Sequence, residues 1–171
     1  LAQAPLAVPR PFGSGRFVAC LPGRRPWPFR ARYDAALAVS PFLTGGAVAR
    51  FFKPGAKRKV IVSRQPALNS QAVALSPVDE VYRLKDVLLN AEDDLDSLDH
   101  SPAASEGDTG ANLPALKGLH AKFYVQDSGT RSTVWLGSAN LTDAAFAANV
   151  DVLVELTGSV HDVGVECVLA K

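Results

Sequence analysis

Methionine is absent from this sequence, cysteine occurs twice and histidine three times in 171 residues. Each shortage narrows the reading. Cys20 and Cys167 lack the paired spacing of a zinc site and are too sparse for a disulfide framework, so they read as two buried thiols in a reducing cytoplasm. A first residue of Leu1 with no methionine anywhere reads as an excised or processed piece whose partner half is missing. No run approaches the roughly 20 apolar residues of a membrane-spanning helix, and no continuous apolar signal core accompanies Arg10 and Arg16. The 47% apolar content still suffices for one buried core, which excludes wholesale disorder and favours one domain.

Acidic residues are scarce at one end. Asp34 is the one acid in residues 1–64, which hold 12 of the 18 Lys and Arg; that half carries +11 and the remainder −10. The net charge of +1 therefore conceals two opposed fields. A basic half of this kind can track a phosphate backbone, or it can neutralise the acidic half across an internal or subunit contact.

Residues 1–33 leave little room for regular structure. Pro5, Pro9, Pro11, Pro22, Pro26 and Pro28, with Gly13, Gly15 and Gly23 between them, forbid a helix and discourage a central strand. Only residues 17–21 could pair briefly with a sheet edge. The segment reads as a linker or arm. Its Arg24, Arg25, Arg30 and Arg32 interleave with Trp27 and Phe29, which could stack on nucleic acid or, the favoured reading, anchor the arm on the core.

From residue 34 to 171 the pattern is that of an α/β domain. Residues 35–40 form an apolar strand ended by Pro41, residues 43–52 read as a helix despite Gly45 and Gly46, and residues 57–62 give a second strand. A helix over 65–75 and a short strand over 81–84 follow. This alternation predicts a mixed sheet flanked by helices. Ser40, Pro41 and Phe42 fall at a strand end, where open α/β sheets place ligands. Residues 92–112 are acidic, small and poor in apolar groups, and are expected to form a mobile loop shielding the site or serving as a spacer; His100 within it has no assigned role.

The most informative stretch is 119–155. In LHAKFYVQ a period of two puts His120, Lys122 and Tyr124 on one face and Leu119, Ala121, Phe123 and Val125 on the other, so an imidazole and an ammonium project side by side. After a turn containing Gly129, STVWLGS reads as the hairpin partner, delivering Ser138 and then the Asn140 amide. Thr142 is placed to cap a short helix ending near Asn149, residues 150–156 form a strand with Asp151 and Glu155 on one face, and residues 161–170 form a helix packed on the sheet.

The spacing H-x-K-x4-D followed by G-S-x-N, filled by His120, Lys122, Asp127, Gly137, Ser138 and Asn140, resembles the HKD signature of the phospholipase D superfamily. The gap from Asp127 to Gly137 is longer than in many members and falls in the predicted hairpin turn. The resemblance implies an α/β/α sandwich and a metal-independent phosphodiesterase with no cofactor. It implies that His120 is the nucleophile giving a phosphohistidine, that Lys122, Ser138 and Asn140 bind phosphate, and that Asp127 and Gly137 support the motif. Asp151 matches the acidic residue that orients the histidine, with Glu155 second. Members use two facing H-x-K motifs; this chain has one, which implies a homodimer or a second HKD-containing half. A nucleic acid is the favoured substrate over lipid. A phospholipase or phosphatidyltransferase, and a non-catalytic nucleic-acid or protein interaction module, are the alternatives.

Overall fold

Period-two and helical apolar spacings alternate after residue 35, and in the computed structural model, described over residues 7–24, 27–83 and 120–170, they become strands and helices in turn. Among these residues are strands β1 (Ser14–Cys20), β2 (Ala35–Val39), β3 (Arg58–Ser63), β4 (Glu80–Arg83), β5 (Phe123–Ser128), β6 (Arg131–Gly137) and β7 (Asp151–Ser159). The helices are short: α1 (Gly45–Phe51), α2 (Gln65–Ser70), α3 (Asp143–Ala147), α4 (Val160–Val163) and α5 (Val165–Leu169). The strands form one mixed sheet in the order β1-β7-β6-β5-β2-β3-β4. β2, β3 and β4 are parallel neighbours, and β2-β5, β5-β6, β6-β7 and β7-β1 pair antiparallel.

Alternation along the strands builds two layers of core. Ala36, Ala38, Ile61, Tyr124, Trp135 and Leu153 face α1, α2 and α3, which contribute Ala47, Val48, Phe51, Leu68, Ala145 and Phe146. Leu37, Val39, Val60, Val125 and Val134 face the other way, onto Val163 of α4 and Val165 of α5. The expected α/β/α sandwich is therefore the architecture. Burying one such aliphatic side chain contributes about 1.5–3 kcal/mol, so the helices are held by packing rather than by their own propensity.

The arm assigned to residues 1–33 is more integral than its composition suggests. β1 pairs with β7 over seven residues, from Ser14↔Thr157 to Cys20↔Asp151. Its proline-free stretch between Pro11 and Pro22 makes this possible. Phe29 is 5% exposed and meets Phe51, Tyr124 and Trp135 edge-on at 4.8, 4.8 and 5.1 Å, while Trp27 packs on Phe146 at 4.9 Å. These rings anchor the segment on the core; Phe29 is not available to stack on a ligand. The Arg30 amide donates to Gln126 Oε1 at 2.8 Å, and its guanidinium donates to Thr133.

Part of the basic half is neutralised internally. Arg16 pairs with Glu155, Arg58 with Glu80 and Glu166, and Lys59 with Asp79.

Several element boundaries differ from the sequence reading. β7 runs on to Ser159 because Thr157, Gly158 and Ser159 find backbone partners on β1 or β6. The single C-terminal helix is two, divided at Gly164, where a Cβ would lie 2.3 Å from the Val160 carbonyl oxygen. The helix expected over 65–75 stops at Ser70 and continues as turns. The acidic stretch 92–112, with His100, lies outside the described residues, as does Leu119.

Candidate active site

The sheet register gathers the sequence motif at one end. β5 and β7 begin, and β6, β2, β3 and β1 end, at the same edge of the sandwich. β5 itself starts at Phe123, so His120 and Lys122 lie on its extended approach rather than inside a strand. The reason is the lack of a partner on the β2 side: Val39↔Phe123 is the last pair, the Ser40 amide turns away to Val62 O on β3, and Pro41 has no N–H. On the β6 side the Gly137 amide still donates to Lys122 O at 3.2 Å, which ties the approach to the start of the G-S-x-N loop. His120 is exposed. The Lys122 ammonium donates to the His120 carbonyl oxygen at 2.7 Å.

The loop that follows β6 is fixed from several sides. Gly137 is required by close approach, since a Cβ there would meet Val152 O at 2.0 Å. The Ser138 amide donates to Val152 O at 3.0 Å, its hydroxyl donates to Asp151 Oδ1 at 2.6 Å, and the same hydroxyl accepts from the Val152 amide at 3.1 Å. The buried Tyr124 hydroxyl donates to Ala139 O at 2.7 Å, and burial pushes its pKa far up, keeping it a donor. Ser40 Oγ accepts from the Leu141 amide at 3.0 Å and donates to Phe42 O at 2.7 Å, drawing residues 40–42 against the same loop. Thr142 caps α3 by accepting from the Ala145 amide at 3.2 Å. Within this well-bonded loop one group stands out: the buried Asn140 Oδ1 has no hydrogen-bond partner.

Asp151 thus opens β7 as a bond acceptor for Ser138, opposite Cys20 of β1. Burial, and then the Asp151 charge, push the Cys20 thiol up to about 11; Cys167 is half-buried rather than buried, and both thiols are free. Glu155, the second carboxylate considered, accepts from Arg16 Nε and Nη2 at 3.0 and 2.9 Å and from Trp135 Nε1 at 3.0 Å. It joins β1 to the core of the sheet.

Asp127 stands five residues along β5 from Lys122, about 16 Å at strand rise. Its side chain is buried on the opposite face, accepting from Ser132 Oγ and from the Val165 amide at 3.1 and 3.3 Å, where it receives the first N–H of α5. Desolvation raises its pKa, the two hydrogen bonds offsetting part of that rise.

The register therefore collects His120, Lys122, Gly137, Ser138, Asn140 and Asp151 at one sheet end and leaves Asp127 and Glu155 elsewhere. Tyr124 and Ser40 fix the loop; Ser40 was expected at the site end of its strand, and Tyr124, with no assigned role from sequence, shares the period-two face with Lys122, a signal that pointed to it. Among the described residues no cluster of His, Cys, Asp or Glu is arranged to hold a metal ion.

A mixed seven-stranded sheet sandwiched by helices, with this loop at its end, has the phospholipase D-type fold. The likeness is carried by solved structures of yeast tyrosyl-DNA phosphodiesterase. The crystal structure of that enzyme superimposes with a TM-score of 0.50 at 12% identity over 83% of this chain, and a histidine-to-arginine mutant of it with a TM-score of 0.52, also at 12% identity. The chain spans about 31% of the length of the enzyme it matches. No family model matches the sequence, and no curated protein matches it.

Proposed function

We propose that this chain is one half of a metal-independent phosphodiesterase active site, acting on nucleic acid through a phosphohistidine at His120. The observation that carries the reading is the loop 137–141, held by hydrogen bonds to β5, β7 and Ser40 beside the approach bearing His120 and Lys122, with an unpaired Asn140 amide oxygen inside it. The oxygen and nitrogen of such an amide are assigned from their neighbours, so the buried end can equally be its NH2, which meets a phosphate oxygen once the side chain turns outward.

In this mechanism a ring nitrogen of His120 attacks phosphorus, the bond to the leaving oxygen breaks in line, and the leaving oxygen takes a proton from the opposite side. Lys122 neutralises the non-bridging oxygens, and Ser138 and Asn140 donate to them. Water then attacks the phosphohistidine and the P–N bond breaks, returning the lone pair to the ring. Asp151, which accepts from the Ser138 hydroxyl in this structure, releases that hydroxyl to the phosphate in the mechanism and, as in the resembled family, orients the imidazole. One imidazole cannot stand on both sides of phosphorus, so the proton donor comes from a second H-x-K motif, in a twofold partner copy or in another half of the parent protein. Near the catalytic end, Leu136 and Val152 are 41% and 42% exposed, apolar surface of the kind such a half would cover. No helix of the described residues is long and apolar enough to cross a membrane; the two sparse cysteines support a cytoplasmic setting and the basic half a nucleic acid rather than a lipid substrate.

The test incubates the chain, in EDTA, with labelled single-stranded DNA, duplex DNA, RNA and phosphatidylcholine beside His120→Asn. Metal-independent cleavage of a nucleic acid, abolished by the substitution, is expected. Cleavage of the lipid alone selects a phospholipase or phosphatidyltransferase, and binding by a verified dimer without cleavage selects an interaction module.

A further inference from the structure

Next to the loop 137–141, at the ends of β2 and β3, lies a cavity of about 230 Å³ whose walls include Pro41, Phe42, Arg64 and Pro66. It is smaller than the pockets that enclose whole small-molecule ligands, roughly 300–1,000 Å³, and suits one planar ring. Phe42 is 38% exposed, an unusual state for a phenylalanine in a segment as well bonded as residues 40–43. Arg64 lies over its face, Cζ 5.2 Å from the ring centroid, and forms no ion pair with a described residue. The cavity is joined to the site by short links: Ser40 Oγ bridges Phe42 O and the Leu141 amide, and Leu43 pairs with Leu141, the residue after Asn140.

We propose that Phe42 and Arg64 form a base-stacking subsite for single-stranded nucleic acid, holding the base next to the phosphate seated at Lys122, Ser138 and Asn140. The Phe42 ring offers an apolar face to a nucleobase, and Arg64 offers a planar guanidinium that stacks on the ring and answers a backbone phosphate. Charge complementarity supports this occupant, because Arg64, at the end of β3, and Arg83, at the end of β4, extend the positive edge begun by Lys122. The subsite accepts any base, since stacking needs only a π-face. This inference rests on the phosphodiesterase reading for its register but is tested separately from it.

Fluorescence anisotropy in the His120→Asn background compares a labelled thymidylate oligonucleotide with an abasic strand of equal length. Phe42→Leu is expected to weaken the thymidylate strand about tenfold and leave the abasic strand unchanged, with Phe42→Trp restoring affinity. Arg64→Gln is expected to weaken both strands and reduce the salt slope by about one. Equal loss on the two strands with Phe42→Leu, no loss on either, or no binding of either strand by the starting protein overturns the subsite. Hydrolysis of methyl 4-nitrophenyl phosphate, which carries no base, separates the two readings: its loss on going from the His120 protein to His120→Asn supports the phosphodiesterase whatever Phe42 does, and its persistence in His120→Asn overturns that reading without bearing on the stacking subsite.

Discussion

Replacing Asp127 by alanine tests whether the third member of the H-x-K-x4-D spacing acts on substrate or on the fold. The carboxylate accepts from the Val165 amide and the Ser132 hydroxyl, and both residues are fully buried. Alanine leaves two donors without partners inside the core, at about 1–3 kcal/mol each when nothing replaces the acceptor. The serine hydroxyl can rotate toward another oxygen, whereas the backbone N–H cannot, which brings the expected loss to about 2–4 kcal/mol. For a chain of this size that corresponds to a fall of roughly 5–15 °C in Tm. Asn is expected to cost less, because its Oδ1 keeps one of the two donors. It should also change the pH dependence. Desolvation lifts the Asp127 pKa above its ordinary 3.8, so the folded state binds this proton more tightly than the unfolded chain does. Its stabilising contribution is thus present below pH 3.8 and lost as pH rises through the raised value, a slope that Asp127→Asn removes. Thermal melts followed by circular dichroism, beside turnover of a small phosphodiester below both melting temperatures, decide the matter. An Asp127→Ala protein that melts with the wild type but has lost turnover would refute the structural role.

Three further outcomes follow from the same geometry. Gly137→Ala sets a Cβ 2.0 Å from Val152 O and must part β6 from β7; a loss of about 2–4 kcal/mol in urea unfolding, with impaired turnover, is expected, and wild-type behaviour would contradict the close approach. Tyr124→Phe leaves the Ala139 carbonyl unpaired at a cost of about 1–2 kcal/mol and should speed amide exchange at Ser138 and Leu141, which hydrogen-exchange mass spectrometry can read. Arg58, and then Tyr82, hold Glu80 down to about 2, so its contribution is intact above pH 4.5 and lost as pH falls through about 2; an unaltered acid-unfolding profile in Glu80→Gln would show that the pair contributes nothing.

The sheet was legible where side chains report their neighbours directly. The apolar run in 35–40, ended by Pro41, marks a strand buried on both faces, and Gly129 marks a two-residue hairpin between Ser128 and Arg131 that fixes the β5-β6 register. From that register the convergence of Lys122 with Gly137 and Ser138 follows. What stayed hidden depends on partners distant in sequence. Nothing local tells that His120 and Lys122 precede their strand, because the cause lies in the hydrogen bonding of Ser40 and the missing N–H of Pro41. Thr157, Gly158 and Ser159 fall beyond the strand read from the sequence and extend it because Thr157 pairs with both β1 and β6, and Gly158 and Ser159 with β6. Glu155 resembles a catalytic carboxylate until Arg16, 139 positions earlier, is brought against it. Asp127 fits the signature by spacing, yet its contacts are to the hydrophobic face behind the site.

β1 has a consequence for how the protein can be shortened. By pairing along the outer side of the strand from Asp151 to Thr157, and by pinning it through Arg16, the proline-rich segment converts that strand from a rim into an interior one. A version trimmed to residue 34 would expose unpaired amides and carbonyls alternating with Val152 and Val154, a template on which a second molecule can add its own strand. Such a fragment is expected to form oligomers by edge pairing, and their formation should be distinguished from any symmetric dimer that brings two histidines together.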